Sequence, residues 1–266
     1  MTNIAAPRSL QADLVAKRDA GRKLLLPYVT AGIVPDWVEL IDALVEAGAD
    51  AVEVGIPFSD PAMDGPTIQE ASTQALANGI TPLGAITALR SRSFDVPLIA
   101  MTYYNLVFRH GPERFAADLA ASGVSAAILP DLPYEAAGDW LAAADEYGIE
   151  NVLLVAPVTS DARLADLVAR TKGFIYTVST MGTPGERSSL DDAASVLATR
   201  AKAATDLPVG IGFGISNPEQ AVTASRSSDG VIVASALMRT LLGGGSIDDV
   251  AAQVRAMRDA LDAEYS

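Results

Sequence analysis

A closed parallel (β/α)8 barrel is the fold this sequence predicts, an α/β domain over residues 1–266 with one extra helix before the first strand and a short extra helix after the eighth. Three observations carry that prediction. Eight short β-rich runs alternate with apolar stripes at helical spacing, most strand starts falling some 20–30 residues apart as βα units require. The strands read as near-continuous apolar runs, the pattern of strands covered on both faces. The chain has 266 residues, 50% of them hydrophobic, enough for a full core.

In chain order, residues 1–8 read as a loose tail. Ser9 to Gly21 has helical spacing, with Ser9 as N-cap, Leu10 and Leu14 four apart, and Gly21 as the stop. The strands fall at about Leu24–Val29, Ala51–Ile56, Val96–Thr102, Ser125–Leu129, Asn151–Val155, Phe174–Ser179, Leu207–Ile211 and Gly230–Val233. Between them run stripes such as Trp37, Leu40, Ile41, Leu44 and Val45. The intervals after the second and sixth strands are longer. Their extra residues form the loops Pro57–Pro66 and Thr180–Ser189, at the carboxyl face where barrels keep their chemistry. Gly243-Gly244-Gly245 hinges into a last helix, Ile247 to about Leu261, with Val250, Val254, Met257 and Leu261 as its apolar stripe.

Composition narrows the chemistry. With 19 basic and 33 acidic residues the net charge is −14, which repels nucleic acid and anionic lipid. It also repels a phosphorylated substrate at long range, so any phosphate must be gripped locally by backbone N–H groups. There is no cysteine, hence no disulfide, thiolate metal site or cysteine nucleophile. The one histidine, His110, precedes Gly111-Pro112 in a turn, which argues against zinc chemistry. Lys23 and Lys172 stand before strands, at the wrong end of a barrel for catalysis; Lys17 and Lys202 lie in helical patterns. None is placed to form a Schiff base. The N-terminal stretch lacks a signal peptide's apolar core and no run approaches the roughly 18 apolar residues of a membrane span, so a cytoplasmic location is expected. Carboxylates and dipoles remain.

Two carboxylates stand out. Glu53 interrupts the second strand, where an unpaired charge would cost several kcal/mol. It shares a face with the small residues Ala51 and Gly55, which leave room beside it. Asp64 follows in the loop shaped by Pro57, Pro61, Gly65 and Pro66. One dry acid and one loop acid suggest a division of acid and base roles. The bland reading of Glu53 is an acid tied to a backbone group or an arginine. For an anion, the loop Gly212-Phe213-Gly214-Ile215-Ser216 precedes a helix start at Asn217-Pro218, and Ala234-Ser235 opens the extra helix, where Ser235 could act as cap. Gly182 and Gly185 could add a further N–H or serve as lid joints; Gly-Phe-Gly alone fits a simple turn equally well.

The runs LLPYVTAG (25–32), VEVGIPFSDPAMDGPTIQ (52–69), YNLVF (104–108), PDLPYE (130–135) and GFGISNPEQ (212–220) strongly resemble the tryptophan synthase alpha chain, in order from about Leu25 to Ser235. The resemblance implies a lyase that cleaves indole-3-glycerol phosphate to indole and glyceraldehyde 3-phosphate, late in tryptophan biosynthesis, with no cofactor in this chain. Glu53 matches the family's catalytic glutamate, Asp64 its catalytic aspartate, and Tyr176 the tyrosine beside the glutamate; the bland role of Tyr176 is core packing. Met101, with Ile128 and Ile232, would line the indole slot, although such residues often serve as plain core. Gly185, Gly214 and Ser235, with Phe213 and Ala234 in the same loops, would hold the phosphate.

Two departures from the family pattern bear on the loops: Ala234 replaces the usual glycine before Ser235, and Pro184 replaces the usual threonine before Gly185. The resemblance also implies a β chain carrying pyridoxal phosphate in an α2β2 assembly, met through Pro57–Pro61, Asn105–Arg109 and Asp131–Tyr134, with Asp60 and Asp131 facing it or merely capping turns. A stand-alone lyase, a weakly active regulatory phosphate-binding subunit and another phosphate-binding barrel enzyme remain alternatives at this point.

Overall fold

The strand β1 (Leu24–Thr30) is buried at all seven positions, which requires cover on both faces. The computed structural model describes residues 7–178, 187–212 and 214–265, so most of the expected tail over residues 1–8 lies outside the described residues. Within them the strands are β1, β2 (Val52–Gly55), β3 (Leu98–Met101), β4 (Val124–Ile128), β5 (Glu150–Asn151), β6 (Leu154–Val155), β7 (Ile175–Thr177), β8 (Val209–Ile211) and β9 (Gly230–Val233). Every pairing is parallel, in the order β5-β4-β3-β2-β1-β9-β8-β7-β6.

The expected fifth strand, Asn151–Val155, is therefore two short pieces, and the reason is closure. β5 pairs with β4 at one edge and β6 with β7 at the other, yet only Val152 and Leu153 separate them in the chain. Val152 N–H donates to Ala127 and the Leu153 carbonyl accepts from Tyr176, so this segment changes partner midway and joins the two edges. The third, sixth and seventh strands are shorter than expected. Leu98 follows Pro97 and Val209 follows Pro208, residues whose missing N–H delays a ladder.

The helices of the described residues are α1 (Leu10–Asp19), α2 (Trp37–Glu46), α3 (Pro66–Ala77), α4 (Pro82–Ala88), α5 (Tyr104–His110), α6 (Pro112–Ala121), α7 (Gly138–Glu146), α8 (Asp161–Val168), α9 (Arg187–Ala204), α10 (Pro218–Ser225), α11 (Ser235–Leu242) and α12 (Ile247–Tyr265). Ser9 caps α1 as expected, its Oγ accepting from Ala12 N–H at 3.1 Å, and Asn217 caps α10 the same way toward Gln220 at 2.9 Å. The last helix runs one turn past Leu261 and buries the predicted stripe.

Two apolar layers result. Leu10 and Leu14 of α1 plug the barrel from below and pack with inward residues that include Leu26, Ile99, Ile128, Phe174 and Ile232. A second layer between strands and helices includes Val29, Val52 and Val231 with Leu40, Ile41 and Leu44 of α2. At the base, Asp50 is buried but saturated. Its Oδ1 accepts from Arg22 Nε at 2.7 Å, its Oδ2 accepts from Leu25 N–H at 2.9 Å, and Arg258 and Lys17 stand at 3.4 and 3.6 Å. Removing one side of such a buried cluster destabilises by about 3–5 kcal/mol.

At the upper end the sheet makes room for tyrosines. A Cβ built on Gly55 would lie 1.8 Å from the Tyr28 hydroxyl oxygen, so β2 must carry glycine where β1 projects a phenol. Gly55→Ala should therefore lower stability to urea by about 1–3 kcal/mol as the Tyr28 ring is displaced. Unchanged stability in that variant would mean the ring has space elsewhere.

Candidate active site

Side chains alternate along β2, so Ala51 and Glu53 turn inward while Val52 and Val54 pack against helices. The register sets Tyr28 of β1 opposite Glu53, and Ile99 of β3 on its other side. Glu53 is 1% exposed, and neither of its carboxyl oxygens has a hydrogen-bond partner among the described residues. Burial alone raises its pKa from 4.5 to about 8. The arginine or backbone tie of the bland reading exists in this barrel, but at Asp50.

Asp64 is held at the other side of the opening by its loop. Its N–H donates to the Pro61 carbonyl at 3.0 Å, and Gln69 Nε2 donates to the Asp64 carbonyl at 2.9 Å. Gly65 is the N-cap of α3 and Pro66 its first residue, which stops the loop where the helix starts. Burial lifts the Asp64 pKa to about 6, opposed by the nearby Tyr103 phenol. Tyr176 is buried, and its pKa is raised first by burial and then by the Glu53 charge.

These groups line one cleft of about 350 Å³ at the carboxyl ends of the strands. Of the residues singled out from sequence, Glu53, Asp64, Met101, Tyr176, Gly214, Ile232, Ala234 and Ser235 share it. Ile128 does not line it; it is fully buried in the barrel interior, opposite Met101 in the sheet. Gly185 and Phe213 lie outside the described residues, as do Gly182 and Pro184.

One local expectation changes. Ser235 is not a cap but the first residue of α11; Ala234 is the N-cap, with no side-chain cap hydrogen bond. The first-turn N–H groups of α11 thus open on the cleft beside Gly214, whose φ of 66° is the left-handed region glycine tolerates. Ser216 is less available, because its N–H and Oγ both bond Gln220 Oε1.

Sequence reasoning did not single out Tyr28 or Arg239, which also line the cleft. Tyr28 could have been found by counting inward from Leu24 and Leu26 on β1. Arg239 could have been found as the residue four beyond Ser235 on α11. Among the described residues no lysine lines the cleft, and no group of three or more His, Asp or Glu side chains is arranged to hold a metal ion.

The comparisons with known proteins agree with this geometry. The family model described as tryptophan synthase alpha chain matches residues 14–263. The chain belongs to the tryptophan synthase alpha chain family. A family member from Mycobacterium marinum is 46% identical over 231 residues, covering 85% of this chain and 86% of the relative. One from Streptomyces avermitilis is 41% identical over 253 residues, covering 94% and 90%. Among solved structures, tryptophan synthase from M. tuberculosis superposes with a TM-score of 0.86 at 37% identity, covering 96% of this chain and 98% of that one. The alpha subunit from Legionella pneumophila gives 0.85 at 32% identity, covering 96% and 99%. As an alpha chain, the protein is the lyase subunit that cleaves indole-3-glycerol phosphate to indole and glyceraldehyde 3-phosphate in tryptophan biosynthesis, and its partner is a β chain. No helix among the described residues is long and apolar enough to cross a membrane.

The raised pKa of Glu53 has a consequence for stability. Below pH 4.5 the carboxyl is protonated in both folded and unfolded chains; from there to about 8 the folded chain alone holds the proton, so stability falls as pH rises and then levels. Glu53→Gln lacks this penalty. Its stability advantage over the parent should grow by at least about 2 kcal/mol across that interval in urea titrations. A difference independent of pH would mean Glu53 ionises as easily folded as unfolded.

Proposed function

We propose that Glu53 is the proton carrier of the retro-aldol cleavage, Asp64 the anion that steadies the indole nitrogen, and the α11 N-terminus the main phosphate seat. The observation that carries this reading is the buried Glu53 carboxyl without a hydrogen-bond partner among the described residues, in one cleft with Asp64 and the first turn of α11.

With a pKa near 8, Glu53 is protonated at neutral pH and can act as general acid. It delivers its proton to indole C3, and the ring becomes an indoleninium with positive charge on nitrogen. Ionised Asp64 accepts a hydrogen bond from the ring N–H and offsets that charge. The bond from C3 to the glycerol carbon then breaks. Its electron pair restores the indole ring, while the glycerol hydroxyl becomes an aldehyde and gives its proton to the Glu53 carboxylate. One proton enters and one leaves, so the acid is regenerated in a single turnover. Tyr176, lying within the field of Glu53, walls the space where this happens. Met101 and Ile232 supply apolar walls for the indole.

The phosphate needs local donors because the chain as a whole repels it. Backbone N–H groups of Gly214, Ala234 and Ser235 and the Ser235 hydroxyl can meet it, with the helix dipole behind them. Gly185 and Phe213 complete the set implied by family resemblance. The methyl of Ala234 leaves its N–H available at the N-cap position.

This chain needs no cofactor for that chemistry; pyridoxal phosphate belongs to the partner β chain of a cytoplasmic α2β2 assembly. The contact surface is Pro57–Pro61, Asn105–Arg109 and Asp131–Tyr134. Phe108, 66% exposed on α5, offers an apolar anchor there. Asp60 and Asp131 each spend one oxygen locally, on Ser59 Oγ at 2.6 Å and on Tyr104 N–H at 2.8 Å.

Glu53→Gln and Asp64→Asn should each lower kcat for indole release by about 10²–10⁴-fold while glycerol 3-phosphate still binds. In the parent, kcat/KM should rise with pH as Asp64 ionises near 6 and fall as Glu53 loses its proton near 8. Near-normal turnover in either variant would remove that residue from the mechanism.

A further inference from the structure

The loop that carries Asp64 is held by Gln69 of α3 and also from the neighbouring loop after β3. Tyr103, the residue that precedes α5, is 6% exposed and reaches across from the end of β3. Its hydroxyl oxygen accepts a hydrogen bond from Met63 N–H at 2.9 Å. Its ring stacks on Phe58 at the start of the same loop, with centroids 5.1 Å apart and planes 26° from parallel. The hydroxyl therefore sits against the residue that precedes Asp64, and its proton, not used by Met63, lowers the proton affinity of the neighbouring carboxylate. Tyr103 itself is seated from the next loop, where Asp131 Oδ1 accepts from Tyr104 N–H at 2.8 Å and fixes the start of α5. The loops after β2, β3 and β4 are thus linked in series, and the last link is the phenol on the N–H of Met63, beside Asp64.

We infer that Tyr103 is a positioning residue for the lyase reaction, one that fixes the Asp64 loop and so aims its carboxylate at the substrate without touching substrate itself. The inference rests on the role proposed above for Asp64. Geometry separates Tyr103 from the cleft wall: it touches the back of the Asp64 loop through Phe58 and Met63 and does not line the cleft. The titratable groups within electrostatic reach of Asp64 are Tyr103 after β3, Tyr28 from β1 and Tyr176 from β7. Of these, Tyr103 opposes the effect of burial on the proton affinity of Asp64.

Tyr103→Phe keeps the ring on Phe58 and deletes the donor. Steady-state indole release by the full chain should show kcat down by at least about tenfold and KM changed by less than about threefold, the pattern of a misaimed group. The acid limb of the kcat/KM–pH profile should move to higher pH, because the anion has lost its donor. The thermal midpoint and glycerol 3-phosphate affinity, measured on the same preparation, should stay near the parent's and establish that the variant is folded. An unmoved acid limb with parent-like kcat, beside an inactive Asp64→Asn, would overturn the role of Tyr103 and leave the mechanism standing. Full activity in Asp64→Asn would overturn both. Tyr103→Leu, which also deletes the stacking, should lose at least as much kcat as Tyr103→Phe; a smaller loss would likewise count against the inference.

Discussion

A carboxyl placed inside a barrel with no donor for either oxygen resists ionisation, and the architecture around Glu53 follows from that constraint. Charging it there would cost several kcal/mol, so the group keeps its proton until about pH 8. The contrast with Asp50, three residues earlier and equally buried, is instructive. Asp50 sits at the amino end of the strands, where Arg22, Arg258 and the Leu25 N–H satisfy it, and it is a strut. Glu53 sits nearer the carboxyl end, faces a cleft and is left protonated. Two buried acids in one βα unit thus have opposite chemistry because of what meets their oxygens.

The remainder of the site balances that neutral acid. Asp64 is only partly withdrawn from water and has the Tyr103 phenol nearby to favour its anion, so it ionises about two pH units earlier than Glu53. The acid and the anion can therefore coexist near neutrality. A protein of net charge −14 still has to attract a phosphate, and it does so with backbone. Leaving Ala234 as a cap without a side-chain bond exposes the first N–H groups of α11 to the cleft, with Arg239 on the same helix. Neither device requires a lysine or a metal ligand, in keeping with a chain whose lysines are engaged elsewhere, Lys17 and Lys202 in ion pairs and Lys23 on the carbonyls of Ser225 and Ser228.

Much of this was legible in the chain itself, for physical reasons that differ by element. A charge inside an apolar run marks Glu53, and strand alternation gives its direction. Ser9 and Asn217 announce their helices because cap chemistry is local. The split of the fifth strand was not legible: which neighbour Val152 or Leu153 bonds is decided by closure of the whole sheet. Cover by neighbours was equally hidden. Ile128 has the inward parity expected of a cleft residue and lies opposite Met101 in the sheet, yet it is fully buried and does not reach the cleft. The short helix α5 spans only seven residues, too few to display a period, so the placement of Tyr103 behind Asp64 had no sequence signal. Ser235 misleads because serine favours capping in general, whereas here the backbone turns one residue earlier, at Ala234.

The chemistry turns on the protonation state of one side chain. The most direct measurement is the titration of the Glu53 carboxyl carbon by ¹³C NMR on glutamate-labelled protein, assigned by loss of its signal in Glu53→Gln. A midpoint near 8 is the predicted result, and a midpoint near the ordinary 4.5 would contradict it.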